Sequence, residues 1–374
     1  MYYTVFIIGV ILSIVNDKKK ISFKIFGAIL LVLAFLRYGV GSDYFSYNFL
    51  YNRLSESLLL EFNYGLDNQE ILFRIFGSIL KKIGFSYQQY LIIIAIINLN
   101  FIFKICKKYS KNPTLSLLIY FSFYYFVWTF SGLRQGIVLA IGMYYLLECL
   151  ENNRTIKLLL ISLLLSLVHA SGIVLIFLYI GAKINFNKKK LMFLSFVGIL
   201  FSIIPIDNIL LKLTWIPYIN RILPYIDSNI TILSILDFQS LGRVVFLVIA
   251  LFYYDLYSRK NDISKLIINI YILSIILYFC LKFSELTAAR LSIYGMLLNI
   301  IILPNIFYIQ KDKFNRFIYI TFIGVFCIAY FNKELYTMEK QTGLVNSNKI
   351  IIPYTNIYNK EKYIFNNKYF YYLD

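Results

Sequence analysis

Apolar residues follow one another with few breaks along the chain, in runs separated by short polar stretches rich in lysine, arginine and asparagine. The first two runs, MYYTVFIIGVILSIV and IFGAILLVLAFL, set the pattern. A bilayer core about 30 Å thick takes about 20 apolar residues per helix. Several runs here are nearer about 14–16 residues, so those helices tilt little, thin the bilayer or recruit flanking aromatic rings. The pattern predicts membrane spans at about 1–15, 25–36, 86–103, 114–130, 133–149, 156–169, 170–184, 191–206, 241–257, 266–281, 290–309 and 317–331, twelve in all. The segment EILFRIFGSILKKIG (70–84) is amphipathic and reads as an interfacial or re-entrant helix.

Composition agrees with the pattern. Of 374 residues, 60% are hydrophobic and 15% charged, against roughly 25% charged in a soluble domain. The expected fold is therefore an all-α, polytopic integral membrane protein, with about 12 transmembrane helices and short interfacial or re-entrant ones. The first apolar run lacks a basic flank and a small-residue cleavage site, so it reads as a span rather than a cleaved signal.

The net charge of +18 would fit a nucleic-acid partner, but the basic residues come in short clusters between apolar runs, which is the positive-inside pattern. Lys18, Lys19, Lys20 and Lys24 mark the first cytoplasmic loop, and Lys104, Lys107, Lys108 and Lys111 another. The loop from Arg37 to Glu70 is acidic on balance (Asp43, Glu56, Glu61, Asp67 and Glu70 against Arg37 and Arg53) and suits the outer side. Both termini then face out. The expected organisation is one transmembrane domain over 1–331, with outer loops at 37–85 and 207–240, followed by an extracytoplasmic tail at 332–374.

The four cysteines form no CxxC pair, and the chain has one histidine, so no metal site is expected. No P-loop or Gly-rich dinucleotide motif appears, and no cofactor is expected.

Two junctions turn with almost no loop, FSGLRQGIV (130–138) and LVHASGIVL (167–175). Irregular backbone at membrane depth is tolerated where protein buries it or water reaches it, so both turns are expected to line a cavity open to the outside. Under this topology Arg37, Asp43, Arg134, Gln135, His169, Arg243, Glu285 and Arg290 collect at the outer membrane ends, where ionisable groups mark substrate or ion pathways. Several fixed arginines suit a phosphate or pyrophosphate, and a histidine or aspartate beside them suits removal of a proton from a sugar hydroxyl. With no nucleotide-binding domain, such an enzyme draws its donor from a lipid.

The same residues carry a resemblance. RYGVGSDYFSY resembles the R-x-x-x-G-x-D-x-x-x-Y signature of the EpsG family of Wzy-like polysaccharide polymerases, filled by Arg37, Gly41, Asp43 and Tyr47. SGLRQGIVLAI resembles the family's R-Q segment (Arg134, Gln135, Ala140), HASGIVLIF its H-x-S segment (His169, Ser171), and Pro353–Tyr354 its C-terminal element. The match to Arg290 is looser.

The resemblance implies a GT-C-like polymerase architecture. It also implies a polymerase that joins oligosaccharide repeat units carried on undecaprenyl pyrophosphate at the outer face of the cytoplasmic membrane, for capsule, exopolysaccharide or O-antigen. The implied partners are that lipid-linked oligosaccharide, membrane lipid, a flippase and a chain-length regulator, with no nucleic acid. Arg134 and Arg290, with Arg37, are expected to hold the pyrophosphate. His169 is the first candidate for general base and Asp43 the second, and Gln135 and Tyr47 orient sugars. Glu70 and Arg243 complete the expected substrate-binding set. The alternatives are a flippase or transporter of the same lipid-linked units and a glycan ligase.

Overall fold

The computed structural model describes residues 1–15, 20–64, 69–204, 237–344 and 353–366. Among the described residues 79% are helical, and no strand occurs. The helices are α1 (Tyr2–Ile14), α2 (Ile21–Leu36), α3 (Tyr44–Arg53), α4 (Leu58–Tyr64), α5 (Ile71–Lys82), α6 (Tyr87–Tyr109), α7 (Pro113–Phe123), α8 (Leu133–Glu151), α9 (Thr155–Ser166), α10 (Val174–Lys183) and α11 (Lys188–Phe201). They continue with α12 (Phe238–Phe252), α13 (Tyr254–Ser258), α14 (Asp262–Cys280), α15 (Glu285–Met296), α16 (Asn299–Ile309) and α17 (Lys313–Thr342).

Local chemistry sets many of these ends. Ser86 and Gln89 form a reciprocal capping box at the start of α6. Asn112 caps α7 ahead of Pro113, whose missing N–H falls where the helix has no partner for it. Asp237, Asn261 and Asp312 accept amide hydrogens at the starts of α12, α14 and α17.

Helices α6, α8, α14 and α17 are long and apolar enough to cross a membrane, and the pair α15–α16, bent by 43°, makes a fifth if counted as one span. Helices α1, α2, α7, α9, α10 and α12 are apolar but shorter. Large apolar side chains lie on outward faces, as at Leu160, Leu163 and Leu164 of α9 and Phe193 and Phe196 of α11. An exposed apolar face of this extent is what a lipid-embedded protein presents. The protein is a membrane-embedded helical protein. The amphipathic segment expected at 70–84 is α5, and its Phe73, Arg74, Gly77 and Leu80 are buried. Most of the 207–240 loop lies outside the described residues.

Helix α17 runs on to Thr342 rather than ending with the apolar run near Phe331. Hydropathy falls in NKELYTMEKQT, yet Glu334, Leu335, Met338 and Thr342 are buried along one face. Packing continues the helix where lipid no longer demands it.

The chain divides into two compact units, residues 1–144, 163–172 and 303–374 in one and 145–162 and 173–302 in the other. In the first, α1 packs on α7 and α2, and α7 lies between α6 and α17. Helices α3 and α5 cover α6 through an aromatic cluster that includes Tyr44, Phe45, Tyr47, Tyr51, Phe73, Tyr87 and Tyr90. Tyr51 stacks on Tyr90 at 4.6 Å, and its hydroxyl donates to the Phe85 carbonyl at 2.6 Å. The second unit is built around α14, which packs against α10, α11, α12 and α15.

Candidate active site

The chain leaves α2 at Arg37 and turns sharply through Gly39 (φ +68°) and Gly41 (φ +108°), backbone that L side chains rarely adopt. A Cβ at Gly41 would sit 2.9 Å from the Phe130 carbonyl oxygen. That approach brings the first motif against the R-Q junction. The Arg37 guanidinium fills the turn. It donates to the Val40 carbonyl at 2.9 Å and to the Phe130 carbonyl, and its Cζ lies 4.6 Å from the Phe130 ring centroid. Arg37 is 2% exposed. Its guanidinium is engaged with main chain and aromatic faces, an arrangement that positions the loop.

The C-terminal element closes over the same turn. Arg37 and Asn356 form an antiparallel bridge, the Tyr38 amide donates to the Thr355 carbonyl at 3.0 Å, and the Tyr354 hydroxyl donates to the Leu33 carbonyl at 2.8 Å. Pro353–Tyr354 is the segment that resembles the family's C-terminal element. The fold seats that element on the Arg37 loop.

Asp43 follows at the start of α3, half-buried, and accepts from the Ser42 hydroxyl at 3.1 Å. Tyr47 lies one helical turn on. Arg134 opens α8, after a π-helical turn at Phe126–Ser131. Its Nε donates to the Tyr47 hydroxyl at 3.4 Å, and a terminal nitrogen pairs with Glu70 Oε2 at 2.5 Å. The other Glu70 oxygen accepts from the Ala170 amide at 3.0 Å. Glu70 thereby joins the start of α8 to the H-x-S turn, and the Leu72 amide adds a bond to the Leu167 carbonyl at 3.0 Å.

His169 lies within electrostatic reach of Glu70. Its Nδ1 meets the Ser171 hydroxyl at 2.6 Å and accepts from the Ser171 amide at 3.3 Å. An N–H aimed at Nδ1 assigns the neutral ring's proton to Nε2. Asp43, Glu70, Arg134 and His169 are partly exposed, whereas Tyr47 and Gln135 are buried. The first unit therefore brings Tyr47, Glu70, Arg134 and the His169 turn together, with Asp43 a turn away on α3.

Burial alone would raise the Glu70 pKa, but Arg134, the Ala170 amide and His169 outweigh it and hold the carboxyl below its ordinary value. Its ionised form therefore stabilises the fold above the unfolded value of about 4.3. That contribution is lost as pH falls through the lower folded value. The melting temperature of wild type is expected to exceed that of Glu70→Gln from neutral pH to about pH 5, and the gap is expected to close below about pH 4. A gap independent of pH would contradict the pairing.

Arg243 and Arg290 belong to the second unit. Arg243 stacks on Tyr278, its Cζ 3.7 Å from the ring centroid, and donates to Gln239 Oε1 at 3.4 Å. Arg290 is exposed on α15. Lys282, which the sequence motifs do not single out, lies just past the end of α14. Its buried ammonium donates to Asp237 at 2.8 Å, Glu285 at 2.6 Å and the Tyr278 hydroxyl at 3.0 Å. Burial alone would lower the lysine pKa, but Asp237, Glu285 and Tyr278 together raise it. The signal was there: a lysine directly after an apolar run, three residues before Glu285.

The fold and this cluster define a membrane-embedded helical protein with an arginine–carboxylate–histidine site built on short turns. The EpsG family model matches residues 20–356. The chain belongs to that family, whose members are Wzy-like polymerases. Neither a curated protein nor a solved structure matches it. Membership makes it a polysaccharide polymerase of the glycosyltransferase kind.

Proposed function

We propose that the protein polymerises oligosaccharide repeat units carried on undecaprenyl pyrophosphate, at the outer face of the cytoplasmic membrane, in capsule, exopolysaccharide or O-antigen synthesis. The observation that carries this reading is the meeting of Tyr47, Glu70, Arg134 and the His169–Ser171 turn in a partly exposed cluster. In this topology the chain crosses the bilayer twelve times, with both termini outside and the cluster below the outer headgroups.

The acceptor sugar hydroxyl loses its proton as its oxygen attacks the anomeric carbon of the donor. The bond from that carbon to the pyrophosphate oxygen breaks, and the pyrophosphate leaves with the electron pair. Arg134 stabilises the charge that develops on the leaving oxygens. In the substrate-free protein Glu70 holds the guanidinium in place, and the pyrophosphate replaces that partner on binding. Tyr47 and Gln135 orient the sugars. We also propose Arg243 and Arg290, in the second unit, as cations for phosphate oxygens. A flippase and a chain-length regulator are the proposed partners.

The tautomer of His169 bears on the base. A ring with its proton on Nε2 donates through that atom, which suits a phosphate oxygen. The Asp43 carboxylate then stands ahead of His169 as acceptor of the hydroxyl proton. Purified protein given synthetic lipid-linked repeat units is expected to yield a ladder of products. Asp43→Asn is expected to lower turnover by about 10²–10⁴, and His169→Gln by less, with normal melting temperatures. Full turnover by a well-folded Asp43→Asn variant removes it as the base, and no ladder from wild type overturns the polymerase reading.

A further inference from the structure

The first unit has a polarity set by α1. Its Tyr2 ring meets Tyr354 at 5.6 Å and Phe126 at 5.5 Å, at the end that carries the Arg37 turn. At its other end the Ser13 carbonyl accepts from Asn112 Nδ2 at 3.0 Å. Along the second half of α1 lies a cavity of about 560 Å³, bounded by α1, α7, the end of α16 and α17. Its volume falls in the range of ligand pockets, about 300–1,000 Å³. None of its lining residues belongs to the candidate active site.

The lining is divided by chemistry. Phe6, Val10, Leu118, Ile323 and Cys327 are among its apolar walls, while Ser13, Asn112, Tyr308 and Arg316 supply its polar atoms. These polar residues gather where α1 and α16 end and α7 and α17 begin. Gly324 leaves room along the slot, since a Cβ there would meet nothing within 4 Å. The Arg316 Cζ lies 4.6 Å from the Phe307 ring centroid and 6.0 Å from that of Tyr308. Among the described residues no carboxylate pairs with it. Exposed Lys111 and Lys313 lie at the same helix ends. Around the slot Ile11, Phe314, Phe317 and Ile328 are exposed, so its surroundings are apolar.

An apolar slot with a half-buried cation at one end, framed by apolar surface, matches an amphiphile with one hydrocarbon chain in the slot and an anionic group at the mouth. A soluble anion would leave the apolar walls uncovered. We propose that this cavity binds an anionic phospholipid of the surrounding bilayer, with an acyl chain along α1 and α17 and its phosphodiester on Arg316. The basic cluster places this end in the cytoplasmic leaflet.

The test is native mass spectrometry of the purified full chain, titrated with phosphatidylglycerol or phosphatidylcholine in detergent. Wild type is expected to retain phosphatidylglycerol about tenfold better than phosphatidylcholine, the scale of one charge-assisted contact. Arg316→Gln is expected to erase that preference and Arg316→Lys to restore most of it. Gly324→Leu, which fills the slot, is expected to lower retention of both lipids. Melting temperatures measured without added lipid show that each variant is folded, and the Arg316 pair decides the matter if Gly324→Leu is not. Equal retention of the two lipids by wild type, or an unchanged preference in Arg316→Gln, overturns the proposal. Neither result bears on the polymerase reading, which the product ladder tests separately.

Discussion

Replacing Arg134 by alanine is expected to abolish long polymer, with turnover on lipid-linked repeat units falling by about 10²–10³. That is the scale for loss of one preorganised donor to a developing oxyanion. The side chain is held from two directions, by Glu70 Oε2 at 2.5 Å and the Tyr47 hydroxyl at 3.4 Å, so its position before substrate binds is set by the protein. Removal also strands Glu70. Both side chains are 24% exposed, so screening by solvent limits the stability loss to about 1 kcal/mol. The double variant Arg134→Ala with Glu70→Gln is therefore expected to regain part of the lost melting temperature but none of the turnover. Arg134→Lys separates charge from geometry. An ammonium keeps the charge but cannot reproduce the planar fork, so near-normal stability with low turnover is expected. Wild-type turnover by folded Arg134→Ala would remove this residue from the reaction. The readouts are the product ladder and a thermal melt on the same preparation.

The parts of this site differ in how far the sequence discloses them. The glycines of the first motif announce a bend, and the bend is there at Gly39 and Gly41. Helix ends at Ser86–Gln89 and Asn112–Pro113 follow from local hydrogen bonding. Partners distant in the chain are another matter. Arg37 reads as a helix-end cation near a substrate, yet its guanidinium goes to the carbonyl of Phe130 and the faces of two rings. Glu70 reads equally well as the start of an amphipathic helix. Its role as the bridge between Arg134 and the Ala170 amide depends on how α5 and α8 dock. Hydropathy is silent on both because it registers the cost of leaving lipid, not which polar group answers which. The same holds at the end of α17, where buried Leu335 and Met338 extend a helix past its apolar run. The contact of the Ser171 amide with His169 Nδ1 is likewise one that no spacing rule discloses.

A methyl group at Gly136 is expected to be as damaging to the site as loss of Arg134, by a different route. Gly136 lies in the first turn of α8, and a Cβ there would sit 1.9 Å from the Trp128 carbonyl oxygen and 3.0 Å from Asn98 Nδ2. The first of these is main chain, so no side-chain rotation relieves it. The Trp128 carbonyl belongs to the π-helical turn and already accepts from Asn98 at 3.1 Å. Asn98 Oδ1 in turn accepts from the Tyr120 hydroxyl at 3.1 Å and from Thr129 at 3.3 Å. Gly136→Ala therefore has to push α8 away from this buried network, and Arg134 lies two residues before the point of contact. Overpacking of a dense interior costs about 1–3 kcal/mol, and the displacement separates Arg134 from Tyr47 and Glu70. Asn98→Ala attacks the same junction without moving α8 and leaves buried hydroxyls short of an acceptor, for about 1–3 kcal/mol. Gly136→Ala is accordingly expected to lower the melting temperature and to lose the product ladder, whereas Asn98→Ala is expected to lower the melting temperature while keeping measurable turnover. A Gly136→Ala protein with wild-type stability and a full ladder would mean that α8 does not approach the turn so closely, and the geometry of Arg134 would then lack its support.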